Sequence, residues 1–264
     1  MKILSWNVNW IRAVIQKWFF DWVKSNNPDI VCLQEVKAFE NQIPPEVRFY
    51  MLDYDYLWHK GDRPGYAWTA IFFKRWIEIM EKKSAFSFHE FSDEGRVTEI
   101  VFKYGEKIIH LMNVYFPNWW DRADWTEMLS YKLDFYEKMR QYVQWIRDDW
   151  DEVIICGDFN ICHTEIDIAR PKENENSIWF LPIERAEMDK LENDWLVDVF
   201  RKLNPGLKDH YTWWSYRGWA RYKNVWRRLD YFWISPKIFD YVEWMEHQTD
   251  MMWSDHCPIS LLLK

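Results

Sequence analysis

Gly157-Asp158-Phe159-Asn160 and Ser254-Asp255-His256 each adjoin a strongly apolar run of β-strand character. Two carboxylates, an amide and an imidazole therefore stand at strand ends, where they can converge. Either fragment alone also reads as a strand followed by an Asx turn, because Asp and Asn side chains bond nearby backbone. Their company favours chemistry. Asn7 follows the apolar run from Lys2 to Trp6, Glu35 follows Ile30 to Gln34, Tyr115 follows Ile108 to Val114, and Asp230 lies within Arg228-Leu229-Asp230-Tyr231-Phe232. Polar groups at the ends of so many apolar strands are costly to bury without purpose. A shared metal and phosphate site accounts for them together.

The runs that must position these groups are rich in Val, Ile, Phe and Tyr and alternate with helical patterns, which predicts an α/β protein. A first helix is expected over about Ile11 to Lys24. From Asp124 to about Asp148, Leu129, Leu133, Tyr136, Met139, Val143 and Ile146 recur at three- and four-residue steps, giving a helix with one buried face. Ile183 to Leu191 form a shorter one. The runs near Trp68 to Lys74, Val97 to Tyr104 and Lys107 to Phe116 lack helices between them and suggest antiparallel pairing.

The 264 residues, 48% of them hydrophobic, suit one domain spanning 1–264, with no linker composition or internal repeat. Neither a signal peptide nor an apolar run of membrane-spanning length is present, so a cytoplasmic protein without a membrane partner is expected. Cys32, Cys156, Cys162 and Cys257 lack paired metal spacing and read as reduced, mostly buried thiols. The formal net charge of -8 is awkward for binding nucleic acid. A local patch could still serve, and Arg217, Arg221, Lys223, Arg227 and Arg228 follow one another with no acidic residue between them. A solvated surface loop is the bland alternative for that run.

The segments Ile3-Leu4-Ser5-Trp6-Asn7-Val8-Asn9, Leu33-Gln34-Glu35-Val36-Lys37, Asn113-Val114-Tyr115-Phe116-Pro117-Asn118, Gly157-Asp158-Phe159-Asn160, Tyr211-Thr212-Trp213-Trp214-Ser215-Tyr216-Arg217, Arg228 to Phe232 and Ser254-Asp255-His256-Cys257-Pro258-Ile259 lie in family order. In them the chain resembles exonuclease III and its relatives, the abasic-site endonucleases of the endonuclease-exonuclease-phosphatase superfamily. The resemblance implies a four-layer α/β/β/α sandwich, two packed mixed β-sheets with helices outside. It also implies a Mg²⁺-dependent DNA repair nuclease, with Mn²⁺ as a substitute ion. Such an enzyme cuts 5′ to abasic sites in double-stranded DNA, with 3′-5′ exonuclease and 3′-phosphodiesterase activity on 3′-blocked ends, as a monomer. The rivals are another phosphoesterase of this fold, such as an inositol-phosphate phosphatase or a deadenylase, and a non-catalytic DNA-binding protein.

Residue by residue, the resemblance makes Glu35 the principal metal ligand, with Asn7, Asn9 and Asp255 in support and oxygens of Asp158 and Asn160 at the same centre. Relatives often carry Asp at the position of Asn9. Asp158 would orient or deprotonate the attacking water, and Asn160 would hold the phosphate or that aspartate. His256 would bond the scissile phosphate, with Asp230 fixing its tautomer and favouring its protonated form. Tyr115 and Asn118 would contact the phosphate or leaving group, and Lys37 would steady the metal-side carboxylates. Trp213, Trp214 and Leu229 would meet the extruded abasic sugar, with Arg217, Arg221, Arg227 and Arg228 on the DNA. For Tyr115 and Trp214, a place in the core is the alternative. Arg227 stands where the family pocket commonly has Trp.

Twenty-one tryptophans against seven glycines depart far from ordinary usage. Trp10, Trp18, Trp68, Trp119, Trp120, Trp125, Trp179, Trp226 and Trp253 stand where the family pattern calls for glycine. Such positions often need positive φ or a close backbone approach, for which the largest side chain is the worst substitute. A source bacterium that reads UGA as glycine explains the excess, against redesign or divergence with a rebuilt surface. If the tryptophans are physically present, impaired folding and a DNA face blocked by Trp119, Trp120, Trp226 and Trp253 are expected.

Overall fold

The computed structural model describes residues 1–44, 52–63, 65–84, 91, 94–118, 124–194 and 196–264. Among the described residues, twelve strands form two six-stranded sheets. One has the order β11 (Val242–His247), β12 (Ile259–Leu263), β1 (Lys2–Asn7), β2 (Ile30–Gln34), β4 (Thr69–Lys74), β3 (Tyr54–His59). The other has the order β5 (Ile79–Lys83), β6 (Val97–Tyr104), β7 (Lys107–Tyr115), β8 (Glu152–Asp158), β10 (Asp230–Ile234), β9 (Val197–Asp198). Both are mixed: β1 runs parallel to β2 and antiparallel to β12, while β7 runs parallel to β8 and antiparallel to β6. The expected antiparallel succession holds for β6 and β7 only. β4 belongs to the other sheet, where it pairs with β2 and β3.

Side-chain alternation builds the layers. Ile3, Ile30, Ile109, Leu111, Ile154, Cys156, Phe232, Ile234 and Ile259 pack between the sheets. Their neighbours along the same strands face outward: Leu4, Trp6, Val31 and Leu33 onto the Ile11–Ile15 and Phe19–Asn26 helices, Val153 and Ile155 onto the Trp125–Asp148 helix. Strands covered on both faces read as continuous apolar runs, which is why they stood out in the sequence. No helix among the described residues is long and apolar enough to cross a membrane, and the four cysteines are buried and free.

Two helical expectations need correction. The first helix is two helices, because Trp18 holds a left-handed φ of 68° between them. In the Trp125–Asp148 helix the buried stripe passes through Met128, Lys132, Phe135, Tyr136, Met139, Val143 and Ile146, with Leu129 and Leu133 at its half-buried margin. Lys132 takes a core position because its ammonium meets Glu184 at 2.6 Å and the Asn160 carbonyl at 2.7 Å.

Candidate active site

Continuing each strand's two-residue alternation places Asn7 in step with Ile3, Gln34 with Cys32, Tyr115 with Leu111, and Asp158 with Cys156. All four turn toward the other sheet at the same end of the sandwich. Asp230 opens β10 directly opposite Asp158. Gly157 makes the approach feasible: at φ 135° a Cβ there would stand 1.9 Å from the Val114 carbonyl oxygen. Beneath the site Gln34 donates to Asn113 Oδ1 at 2.6 Å, and Asn113 bonds Thr98 and the Leu33 and Ala70 carbonyls. This buried amide network ties the two sheets together under the polar groups.

Glu35, Asp158 and His256 offer ligand atoms that all lie within 4.8 Å of one another. Asn7 Nδ2 donates to Glu35 Oε1 at 2.8 Å and to Asp158 Oδ2 at 2.9 Å. Its own oxygen is taken by the Asn9 backbone N–H. Asn7 therefore aligns the two carboxylates and turns an N–H toward them. Lys37 pairs with Glu35 and donates to Asn9 Oδ1. Asn9 Nδ2 in turn donates to Asp255 Oδ1 at 3.1 Å, and Trp213 Nε1 donates to Asp255 Oδ2 at 2.9 Å. The backbone is strained here, with φ of 39° at Asn9, 50° at Glu35, 49° at Lys37 and 52° at Asn160. Such conformations collect at sites where geometry is imposed by the surroundings.

His256 Nδ1 lies 2.8 Å from Asp230 Oδ2, and Nε2 lies 3.6 Å from Asp158 Oδ2. Burial opposes an imidazolium, but Asp230 and then Asp158 outweigh it and push His256 up to about 10. Asp158 is pushed up to about 7, first by burial and then by Asp230 and Glu35, with His256 opposing. Burial also opposes the charge of Asp255, yet His256 and the bonds from Trp213 and Asn9 hold it below the ordinary carboxylate range. The donor set thus divides. Glu35 and Asp158 present hard carboxylate oxygens suited to a divalent cation, whereas a protonated His256 has no lone pair for a metal and suits an anionic oxygen.

The profile described as the Endonuclease/Exonuclease/phosphatase family matches residues 4–256. The chain belongs to this family. Within it, an exodeoxyribonuclease of Bacillus subtilis is 35% identical over 264 residues, covering 100% of this chain and 99% of that one. A DNA-(apurinic or apyrimidinic site) endonuclease of Dictyostelium discoideum is 34% identical, covering 100% of this chain and 70% of that one. The structure of an AP endonuclease from Archaeoglobus fulgidus superposes with a TM-score of 0.85 at 27% identity, covering 100% of this chain and 99% of that one. These likenesses place the chain in the exonuclease III and AP-endonuclease branch, a group of divalent-metal-dependent nucleases.

Among the residues expected at the family's site, Asn160 gives its backbone N–H to Asp158 Oδ1 and its side-chain N–H to the Phe116 carbonyl. Tyr115 is buried under the Arg96 guanidinium, 5.1 Å from its ring centroid, and Asn118 Oδ1 accepts a bond from Trp179 Nε1 at 3.0 Å. Trp213 is half-buried beside His256. Several residues expected on the DNA are buried or engaged within the protein. Arg228 is fully buried between Asp167 and Asp198, both at 2.7 Å. Leu229 packs with Cys162, Ile168 and Phe180, and Trp214 lies in the core. Arg221 lies over Trp214 and donates to the Ser254 and Thr249 carbonyls. Arg227 is buried among Trp179, Trp213 and Trp226. Arg217 alone of the named arginines is exposed. Trp119 and Trp120 lie outside the described residues.

Two supporting residues escaped the sequence reading. Thr212 Oγ1 accepts the Leu229 and Asp230 backbone N–H groups at 3.0 Å and so seats Asp230. Lys132 anchors Asn160 through its carbonyl. A lysine in step with Met128, Phe135 and Met139 was the available signal for the second. Nothing in the sequence distinguished Thr212.

Proposed function

We propose that the protein is a Mg²⁺-dependent DNA repair nuclease that hydrolyses the phosphodiester 5′ to abasic sites in duplex DNA, with 3′-5′ exonuclease and 3′-phosphodiesterase activity. The observation that carries this reading is the convergence of Glu35, Asp158 and His256 within 4.8 Å. Glu35, with an Asp158 oxygen, would hold the ion; bound there, Mg²⁺ or a substituting Mn²⁺ neutralises phosphoryl charge and assists the leaving oxygen. His256, held by Asp230, donates from Nε2 to a non-bridging phosphate oxygen. Asp158 would take the proton of the attacking water. Asn7 and Asn160 fix its two oxygens, and Lys37 steadies Glu35.

The test is incision of a duplex carrying one tetrahydrofuran abasic analogue, with Mg²⁺ or with chelator, by the parent chain and by Asp158→Asn. A positioned base contributes roughly 10²–10⁴-fold, so the variant should lose at least a hundredfold in kcat/KM while chelator abolishes cutting by the parent. Mg²⁺-dependent cutting that survives in the variant would refute the role of Asp158.

A further inference from the structure

Among the described residues, six of the fifteen non-glycine residues with positive φ are tryptophans: Trp10 (88°), Trp18 (68°), Trp68 (61°), Trp150 (67°), Trp179 (71°) and Trp219 (57°). The chain has 17 phenylalanines and 14 tyrosines, yet no Phe or Tyr is found there among the described residues. A general tolerance for large aromatics would not single out one type, and a bulky residue at positive φ is a true outlier. Six of the seven glycines behave in the same way: Gly65, Gly95, Gly105, Gly157, Gly206 and Gly218 have positive φ.

Local structure bears on five of the six sites. Trp150 follows the Trp125–Asp148 helix, with its N–H bonded back to the Arg147 carbonyl, at the place where helices commonly end in a left-handed glycine. Trp18 and Trp219 are 74% and 72% exposed, so little packing compensates the backbone. Trp68 is buried with its indole N–H unpartnered, while its carbonyl accepts the Val36 N–H next to Glu35. Trp179 bears on the site itself. Its indole N–H occupies Asn118 Oδ1, its ring lies 4.6 Å from the Arg227 guanidinium carbon, and it meets Trp213 edge-on.

We propose that positions 10, 18, 68, 150, 179 and 219 are glycine in the native protein, as UGA codons read as glycine would give, and that glycine at 179 uncovers Arg227 for the DNA backbone. The backbone adds positions 150 and 219 to those suspected from sequence. Trp226 and Trp253 are not among the positive-φ residues, so conformation gives no reason to reassign them. The second half of the proposal rests on the nuclease reading above; the first does not.

Peptide mass mapping of the protein isolated from its source organism should show glycine at all six positions, and tryptophan at any of them overturns that assignment. Independently, Trp18→Gly and Trp150→Gly should each raise Tm by about 2–4 °C by relieving left-handed strain, without changing incision. Trp6→Gly and Trp233→Gly, which empty core positions, should lower it. A fall in Tm for the first pair contradicts the assignment. Trp179→Gly should raise kcat/KM on the tetrahydrofuran duplex roughly tenfold, the worth of one charge-assisted phosphate contact. An unchanged or lower value overturns the uncovering of Arg227. If neither chain cuts while Tm still rises, the nuclease reading fails and the glycine assignment stands.

Discussion

Asp230 has no contact with metal or water in the proposed reaction, yet it sets the state of the residue that does the binding. Its Oδ2 holds His256 Nδ1 at 2.8 Å and is the chief attraction that raises the imidazole's proton affinity against burial. Asp230→Asn should therefore reduce kcat/KM by at least about 10²-fold while duplex affinity in chelator changes little. Steady-state kinetics beside an equilibrium binding titration checks this, and a loss confined to affinity would contradict it. At this scale the sequence was informative where chemistry coincides with a strand end. Glu35, Asp158, Asp230 and His256 were all legible because each polar residue interrupts or ends an apolar run. Arg228 and Leu229 misled, since they share the motif of Asp230 but lie before its strand begins, where Arg228 is held between Asp167 and Asp198 and Leu229 packs with Cys162, Ile168 and Phe180.

Among the elements, β8 does most to assemble the site, and its approach to β7 depends on Gly157. Gly157→Ala should destabilise by about 3 kcal/mol or more, because the three atoms nearest the new Cβ are all Val114 backbone, which has no side chain to yield. Urea unfolding measures it, and a loss below 1 kcal/mol would show that the strands can separate cheaply. Behind β10, Arg228 is held by Asp167 and Asp198. Burial works against the charge of Asp167, but Arg228 and then Arg201 outweigh it and hold this carboxyl far below the ordinary range. Stability from that depression is present above the unfolded value of about 3.9 and is lost as pH falls toward the lower folded one. Asp167→Asn, which leaves Arg228 short of a buried partner, should thus cost about 3–5 kcal/mol at pH 7. Its deficit against the parent should shrink below pH of about 3.9, and a constant deficit down to acid unfolding would contradict the ion-pair account. Strand positions were read well because runs covered on both faces are unambiguous. Sheet membership was not, since nothing between Lys74 and Val97 announces that the chain crosses from one sheet to the other, and the break at Trp18 is a backbone event that helical periodicity does not register.

For the whole molecule, a formal net charge of -8 confronts a polyanionic substrate. The basic run offers less surface than its composition suggests: Arg217 and Lys223 are exposed, whereas Arg221, Arg227 and Arg228 are engaged by carbonyls, indoles and carboxylates. Arg217→Ala and Lys223→Ala should each lower the salt dependence of duplex affinity by about one counterion, measured by fluorescence anisotropy across a salt series. An unaltered slope for both would move the DNA path elsewhere on the molecule. The most direct test of the whole account is an anomalous difference map from crystals grown with Mn²⁺ and a tetrahydrofuran-containing duplex. The account predicts a peak coordinated by Glu35 and an Asp158 oxygen, with His256 Nε2 hydrogen-bonded to the phosphate on its 5′ side; a metal bound away from both carboxylates, or a phosphate out of reach of His256, would contradict it.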